Sequence, residues 1–382
     1  MRPDSPFAFD EDALLLKNSA QAFLGDRVRA GMVRDLIKQV ARNPESVTGS
    51  AAIWSELTSL GWTALGVPEE CGGVDVSLPA IAGLVEELGR AAAPVPLVST
   101  LSASLLLRAC TGEAALACLR EIAAGAVATL AFSDAQGSPD PCTSEVVLRG
   151  GRLEGSAWYV QNASEADRFV VAARAKPDAM GWYVVNRKAP GVRVLADDIS
   201  DLTRTQGRVV FEGTEVSDND QAASQQNGTP AFKHALPALL TIVAADICGS
   251  AEWLLQTTAD YAKTRIQFGR KIGAFQAVKH PLVDLMILVD QAKSLTFHAA
   301  TLWSAGSDRA LLFARMAKEA ASEAACASAR HAIQLHGGIA FTWESPVHVF
   351  AKRQKHNQML YGNAAHQRRC LGEMLMGDTL RK

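Results

Sequence analysis

Two short stretches hold residues whose types and spacing suit a phosphorylated ligand: Arg265-Ile-Gln-Phe-Gly-Arg-Lys-Ile-Gly-Ala-Phe-Gln276 and Gln334-Leu-His-Gly-Gly338. A guanidinium fork such as that of Arg265 matches two phosphate oxygens, and glycine lets the backbone approach a ligand closely. Acid–base chemistry would need a carboxylate, and Asp246 stands out because it interrupts the apolar run 235–249. It follows Leu239 by seven residues, which puts it on the same helical face as Leu239 and Val243. A carboxylate there must be paired, hydrogen-bonded or neutralised, so it is either a satisfied structural group or a base or substrate contact. No metal is expected: His331 and His336 are five residues apart, a poor spacing for two ligands on one helix, and no Cys-x-x-Cys pair occurs.

The elements that must carry these residues fall into three textures. Residues 10–120 read as helices, with Leu14, Leu15, Ala20 and Phe23 at helical spacing and a turn signal at Val67-Pro-Glu-Glu-Cys-Gly-Gly73. From about residue 126 the chain shortens into runs rich in β-branched and aromatic residues. These are Val127–Phe132, Glu145–Leu148, Ala157–Gln161, Phe169–Ala173, Trp182–Asn186, Val192–Leu195 and Gly207–Phe211. Bounded by Gly, Pro, Asn and Asp, they predict a compact antiparallel β domain. Residues 217–230 read as a polar linker, and beyond it long helical patterns cover about 231–264, 275–305, 308–336 and 345–376. The expected fold class is α+β, with an N-terminal helical domain (1–125), a central β domain and linker (126–229) and a C-terminal four-helix domain (230–382).

Composition narrows the function classes. Lys and Arg number 38 against 40 Asp and Glu, with a formal charge of −2 and no long run of one sign, so nucleic acid and anionic membranes are not expected partners. Seven scattered cysteines read as reduced thiols, which points to a reducing, cytoplasmic compartment. No apolar leader follows Met-Arg-Pro-Asp-Ser-Pro, and no apolar stretch reaches the roughly 20 residues of a membrane span.

From about residue 12 to its end the chain resembles an acyl-CoA dehydrogenase. The resemblance implies FAD bound between the β domain and helices of two subunits, an acyl-CoA substrate dehydrogenated at its α and β carbons, and an electron-transfer flavoprotein as acceptor. Arg265, Gln267, Phe268 and Gly269 match the family's R-x-x-F-G motif, whose arginine meets the FAD pyrophosphate. Gln276 matches a cofactor-holding glutamine, and Gln334, Gly337 and Gly338 match the Q-x-x-G-G element at the adenine half. In the β domain, Ser133 of Phe132-Ser-Asp134 and Tyr159 and Gln161 of Trp158-Tyr-Val-Gln-Asn162 match flavin-ring positions. Gln161 replaces a threonine there but can still donate and accept a hydrogen bond. The basic cluster Lys352-Arg353-Gln-Lys355-His356 is either a solvated helix face or a contact for CoA phosphate.

The resemblance breaks at the catalytic base. One branch of the family places a glutamate twenty-three residues after the second glycine of Q-x-x-G-G; here that residue is Tyr361, before Gly362. The other places it twenty-six residues before the motif arginine, where this chain has Leu239. A phenol of pKa about 10 is a poor base at neutral pH. The Thr342-Trp-Glu344 segment and the ending Tyr361-Gly-Asn-Ala-Ala-His-Gln-Arg368 resemble a bacterial branch acting on sterol, bile-acid or other bulky acyl-CoA thioesters. Some enzymes of that branch pair a glutamate-bearing subunit with one that lacks it. The leading expectation is such a glutamate-lacking subunit in an α2β2 tetramer. The alternatives are a self-sufficient enzyme using Asp246 and a non-catalytic protein on the same fold.

Overall fold

A computed structural model of the chain describes residues 11–28, 48–176 and 179–377. The opening segment Met1–Pro6, read above for a leader, lies outside the described residues. Packing divides the chain into two compact units that do not follow the three textures. Among the described residues, one unit gathers those within 11–28, 77–93 and 240–377; the other gathers those within 48–76 and 94–239. The N-terminal helices are thus shared out, because each buries its apolar face against whichever unit covers it, not against its neighbours in sequence.

In the second unit a mixed sheet is flanked by α2 (Thr48–Ser59), α4 (Leu97–Leu107) and α5 (Glu113–Ala123). The strands are β1 (Ala128–Ala131), β2 (Val147–Arg149), β3 (Arg152–Gln161), β4 (Arg168–Lys176), β5 (Ala179–Asn186), β6 (Val192–Ala196), β7 (Gln206–Glu215) and β8 (Gln221–Ala223). Their order is β6-β7-β3-β2-β4-β5-β8, with β1 joined to β4. Every run expected from the sequence is a strand. Most pairs are antiparallel, but β1 and β2 both run parallel to β4. The core joins Val127, Leu153, Ala157, Phe169, Val171, Tyr183, Val209 and Phe211. β4 is buried continuously from Phe169 to Ala173, so a two-residue alternation is absent from its sequence.

Residues 217–230 are not a linker. They contain β8, which pairs with β5 through Trp182–Ala223, and the start of a helix at Gly228. The polar side chains that suggested a linker cap and turn the backbone: Ser217 and Asp220 bond reciprocally around a single 3-10 turn.

The first unit is built from α1 (Glu11–Arg27), α3 (Leu78–Arg90), most of α6 (Gly228–Thr264), α7 (Gln276–Ser304), α8 (Ala310–His336), α9 (Val347–Asn357) and α10 (Ala364–Met376). The sequence pattern 345–376 is therefore two helices, parted by a turn at 358–363. α6 is long and apolar enough to cross a membrane, but 83% of its apolar window is buried inside the protein, as in a core helix.

α3 and α6 cross with their backbones in contact. A Cβ on Gly89 would be driven into the carbonyl oxygen of Asp246, and one on Gly249 into that of Glu86. Around this crossing sits a partly buried charge network with Glu86 at its centre. Lys293 bonds Glu86 at 2.8 Å and Glu252 at 2.5 Å, Arg90 bonds Glu252 at 2.7 Å, and Lys17 reaches Glu86 from α1. With Glu87, which Arg90 bonds at 3.0 Å, three cations balance three carboxylates, which is what allows Glu86 to be fully buried.

Because this contact leaves no room for a side chain, Gly249→Ala is expected to cost about 1–3 kcal/mol or more by overpacking. Gly372→Ala on α10, where an added Cβ meets nothing within 4 Å, is expected to be neutral or mildly stabilising. Paired denaturant melts of the two variants check this.

Candidate active site

The R-x-x-F-G stretch folds into a tight hairpin. α6 ends with the Arg265 amide donating to Tyr261 O at 2.8 Å, and β9 (Ile266–Gln267) and β10 (Arg270–Lys271) pair antiparallel. The two residues between them, Phe268 (φ 53°) and Gly269 (φ 76°), are both left-handed. That is the geometry of a two-residue hairpin turn, which favours glycine and penalises a bulky residue. Phe268 accepts this conformation while being 91% exposed, its ring edge-on to Phe275 at 6.1 Å. A strained, solvent-facing aromatic residue is characteristic of a ligand contact. Arg265 is also exposed and makes no ion pair among the described residues. Gln267 lies in the hairpin, and Gln276 opens α7 with its side chain at the surface.

The Q-x-x-G-G stretch closes α8. Gly337 caps the helix at φ 65°, its amide bonded to Ile333 O, and a Cβ on Gly337 or Gly338 would meet nothing within 4 Å. Gln334, Gly337 and Gly338 are all exposed, so a side-chain amide and open glycine backbone lie at the surface together. The two signatures are adjacent in the same unit: the rings of Tyr261 and His336 stack at 4.3 Å and 22°.

The β unit presents the other matched residues at one strand end. Register slips between Ala157 and Val160, and Tyr159 takes φ 55°. This bulge turns Tyr159 outward, 44% exposed, with its hydroxyl donating to Ala135 O at 3.0 Å. Ser133 bridges to Trp158, whose amide donates to Ser133 O at 3.0 Å. The Gln161 side-chain amide donates to Tyr159 O at 3.1 Å and to Gln206 at 3.0 Å. The turn 137–140 is held by Asp134, whose carboxylate accepts from the Ser138 amide at 2.9 Å.

Neither base position holds a carboxylate. Leu239 is fully buried in α6. Tyr361 lies not on a helix but in the turn between α9 and α10, with φ 54°. That turn is gripped by its neighbours. Gln367 donates to Tyr361 O at 2.8 Å, and the buried Lys318 of α8 donates to Gln358 O at 2.9 Å and Gly362 O at 3.2 Å. No carboxylate accompanies Lys318 among the described residues, and burial pushes its pKa down to about 7. Sequence reading passed over this lysine because it stands alone among alanines, with no motif around it.

The Asp246 alternative is corrected by the geometry. Its carboxylate is 0% exposed and accepts from Arg353 Nε at 3.0 Å, Arg353 Nη2 at 2.6 Å and Asn357 Nδ2 at 2.6 Å. Both oxygens are consumed by a bidentate guanidinium and an amide, so the group is a structural anchor between α6 and α9 and not an available base. The same contact takes Arg353 out of the basic cluster 352–356: it is fully buried, neither solvated nor placed to meet CoA phosphate, whereas Lys355 is exposed. Among the described residues no group of His, Cys, Asp and Glu has the arrangement of a metal site.

The fold and these two signatures define a flavin-dependent acyl-CoA oxidoreductase architecture. Residues 10–126 match the acyl-CoA dehydrogenase N-terminal domain and residues 226–376 the acyl-CoA dehydrogenase C-terminal domain. Acyl-CoA dehydrogenase IpdE2 of Mycobacterium tuberculosis is 35% identical over 79% of this chain and 80% of its own length. Among solved structures, the ChsE4-ChsE5 complex from Mycobacterium tuberculosis superposes with a TM-score of 0.86 at 26% identity, covering 98% of this chain and 99% of that one. Butyryl-CoA dehydrogenase from Megasphaera elsdenii shares the fold with a TM-score of 0.86 at 22% identity, covering 97% of this chain and 100% of that one. The chain belongs to the acyl-CoA dehydrogenase family, and its cofactor is FAD. The residues present fit that cofactor: an unpaired exposed guanidinium, an outward aromatic residue and an open pair of glycines offer charge, stacking and close backbone approach to a dinucleotide.

Two outcomes follow. Asp246→Asn leaves Arg353 charged and buried without its counter-ion, so a loss of about 3–5 kcal/mol is expected, and Asp246→Leu with Arg353→Met is expected to recover much of it. Denaturant melts of the single and double variants check this. The second concerns acid. Burial works to raise the Glu252 pKa, but Lys293 and Arg90 bring it down to about 2 from an ordinary 4.5. Its folded pKa is depressed, so its contribution is present above pH 4.5 and lost as pH falls toward 2. The loss is about 3 kcal/mol, and Glu252→Gln is expected to flatten it in a stability–pH series.

Proposed function

We propose that this chain is the glutamate-lacking subunit of a heteromeric FAD-dependent acyl-CoA dehydrogenase, paired in an α2β2 tetramer with a related subunit that carries the base. The observation that carries the reading is the base itself: Leu239 and Tyr361 fill both positions, and Asp246 is bound by Arg353 and Asn357. The cofactor-binding residues are retained while the proton acceptor is not. That division is workable where each FAD site is assembled by two subunits, since one chain can keep its half of the cofactor grip while its partner's site performs the chemistry.

When bound, FAD supplies the acceptor for the hydride leaving the substrate's β carbon. Arg265 would neutralise the pyrophosphate, with Gln267, Phe268 and Gln276 beside it and Gln334, Gly337 and Gly338 toward the adenine half. Ser133, Tyr159 and Gln161 would meet a flavin ring from the β unit. A phenol is a poor general base at neutral pH, so Tyr361 does not stand in for the missing glutamate. A bulky, steroid-type acyl-CoA is the substrate class, supported by the likeness to the Tcur3481-Tcur3483 steroid ACAD, with a TM-score of 0.83 at 26% identity, and the pairing of two chains by the likeness to the ChsE4-ChsE5 complex. An electron-transfer flavoprotein is the acceptor by family resemblance. Seven free cysteines support a reducing, cytoplasmic setting.

The test is to express the chain alone and together with a glutamate-bearing relative encoded beside it. The pair is expected to elute as one tetramer, carry flavin and dehydrogenate bulky acyl-CoA thioesters. Full FAD loading and turnover by this chain alone would overturn the reading.

A further inference from the structure

We infer that the stacked pair Tyr261–His336 is a positioning element that couples the arginine hairpin to the Gly337–Gly338 turn, so that the two FAD signatures of one chain act as a single rigid grip. This rests on FAD being the cofactor and not on the heteromeric reading.

The two rings come from the last turns of two helices that approach only through tertiary packing. Tyr261 is four residues before Arg265, and its carbonyl receives the Arg265 amide at 2.8 Å. The hairpin that follows is folded back on the same helix end: the Ile272 amide donates to Arg265 O at 2.9 Å, and a Cβ on Gly273 would stand 2.9 Å from Ala262 O. The hairpin therefore moves with the α6 terminus. On the other side His336 is the residue immediately before Gly337, and its ring is fixed by a 2.8 Å bond between Nδ1 and Ala332 O. With that torsion locked, the imidazole lies flat on the Tyr261 ring.

The contact sits on a firm base. Leu254, Ala332, Ala340, Val347 and Phe350 form one buried cluster beneath it, and Trp253 stacks on Phe350 at 3.7 Å and 5°. By contrast, the hairpin residues 265–271 and the turn residues 337–339 are exposed. The ring pair is thus the last fixed contact before two solvent-facing segments that must hold a defined spacing to grip one dinucleotide. Histidine at the filler position of Q-x-x-G-G gains a purpose that the motif alone does not give it.

The test measures amide hydrogen exchange and FAD affinity in Tyr261→Ala, His336→Ala, the double variant and Tyr261→Phe. Tyr261→Ala is expected to speed exchange in 337–343 about three- to ten-fold, and His336→Ala to do the same in 265–275, each across the contact from the substituted residue. FAD dissociation constants are expected to rise by a similar factor in each single variant and no further in the double, as for residues acting as a unit. Tyr261→Phe, which keeps the ring, is expected to match the wild type in both measurements. Exchange changes confined to the substituted residue's own segment, or FAD losses that multiply in the double variant, would overturn the proposal. Tyr261→Leu, which keeps apolar bulk without a ring, replaces the alanine variant if that one fails to fold. A wild-type chain that holds no FAD would count against the cofactor-binding role, and the exchange measurement alone then decides the coupling.

Discussion

The bidentate bond between Arg353 and Asp246 is the constraint around which the helical unit is organised. An anion and a cation that are both fully buried tolerate little displacement, because either one without the other would be left as an uncompensated charge in a medium of low dielectric. The pair fixes α9 against α6 at the level where α6 also meets α3 backbone to backbone. Arg353 further reaches Ala93 O, just beyond the end of α3, and Gln354 reaches Ile247 O. Three helices are thereby referenced to one carboxylate, and the neighbouring network of Lys17, Glu86, Arg90, Glu252 and Lys293 adds α1 and α7.

The segments that match the family's cofactor motifs hang from this frame. α6 continues from Asp246 to Tyr261 and the arginine hairpin; α8, packed on the same helices, ends in His336 and the glycine pair. The turn that holds Tyr361 follows directly from α9, with Lys318 saturating carbonyls that a helix end leaves without partners. Rigid helices thus terminate in short exposed segments, and those segments carry the family's cofactor residues. The polar groups buried deepest hold the frame, while the residues that match the family's cofactor motifs are left at the surface.

This sorting explains where sequence reading was right and where it misassigned residues. The strands announced themselves because β-branched runs bounded by turn residues are a local signal, and the hairpin and glycine signatures because their spacing is characteristic. Asp246 and Arg353 each looked like chemistry when read in isolation, as a possible base and as part of a basic patch. They are separated by 107 residues, and nothing local pairs them. Lys318 gave no signal because its partners are backbone carbonyls, which have no sequence identity. The polar stretch 217–230 looked like a linker since capping and turn residues have the same composition as flexible ones.

The sequence by itself determined the family, the cofactor signatures and the absence of glutamate at both base positions, all of which depend on residue identity at fixed spacing. The tertiary structure decided what the remaining charged groups do. Whether a buried carboxylate is a base or an anchor depends on what packs against it, and that is a property of two helices meeting. The same holds for the pairing of Tyr261 with His336 and for the division of the N-terminal helices between two compact units. Each is a long-range contact, created only when apolar faces are buried together, and no periodicity along the chain encodes it.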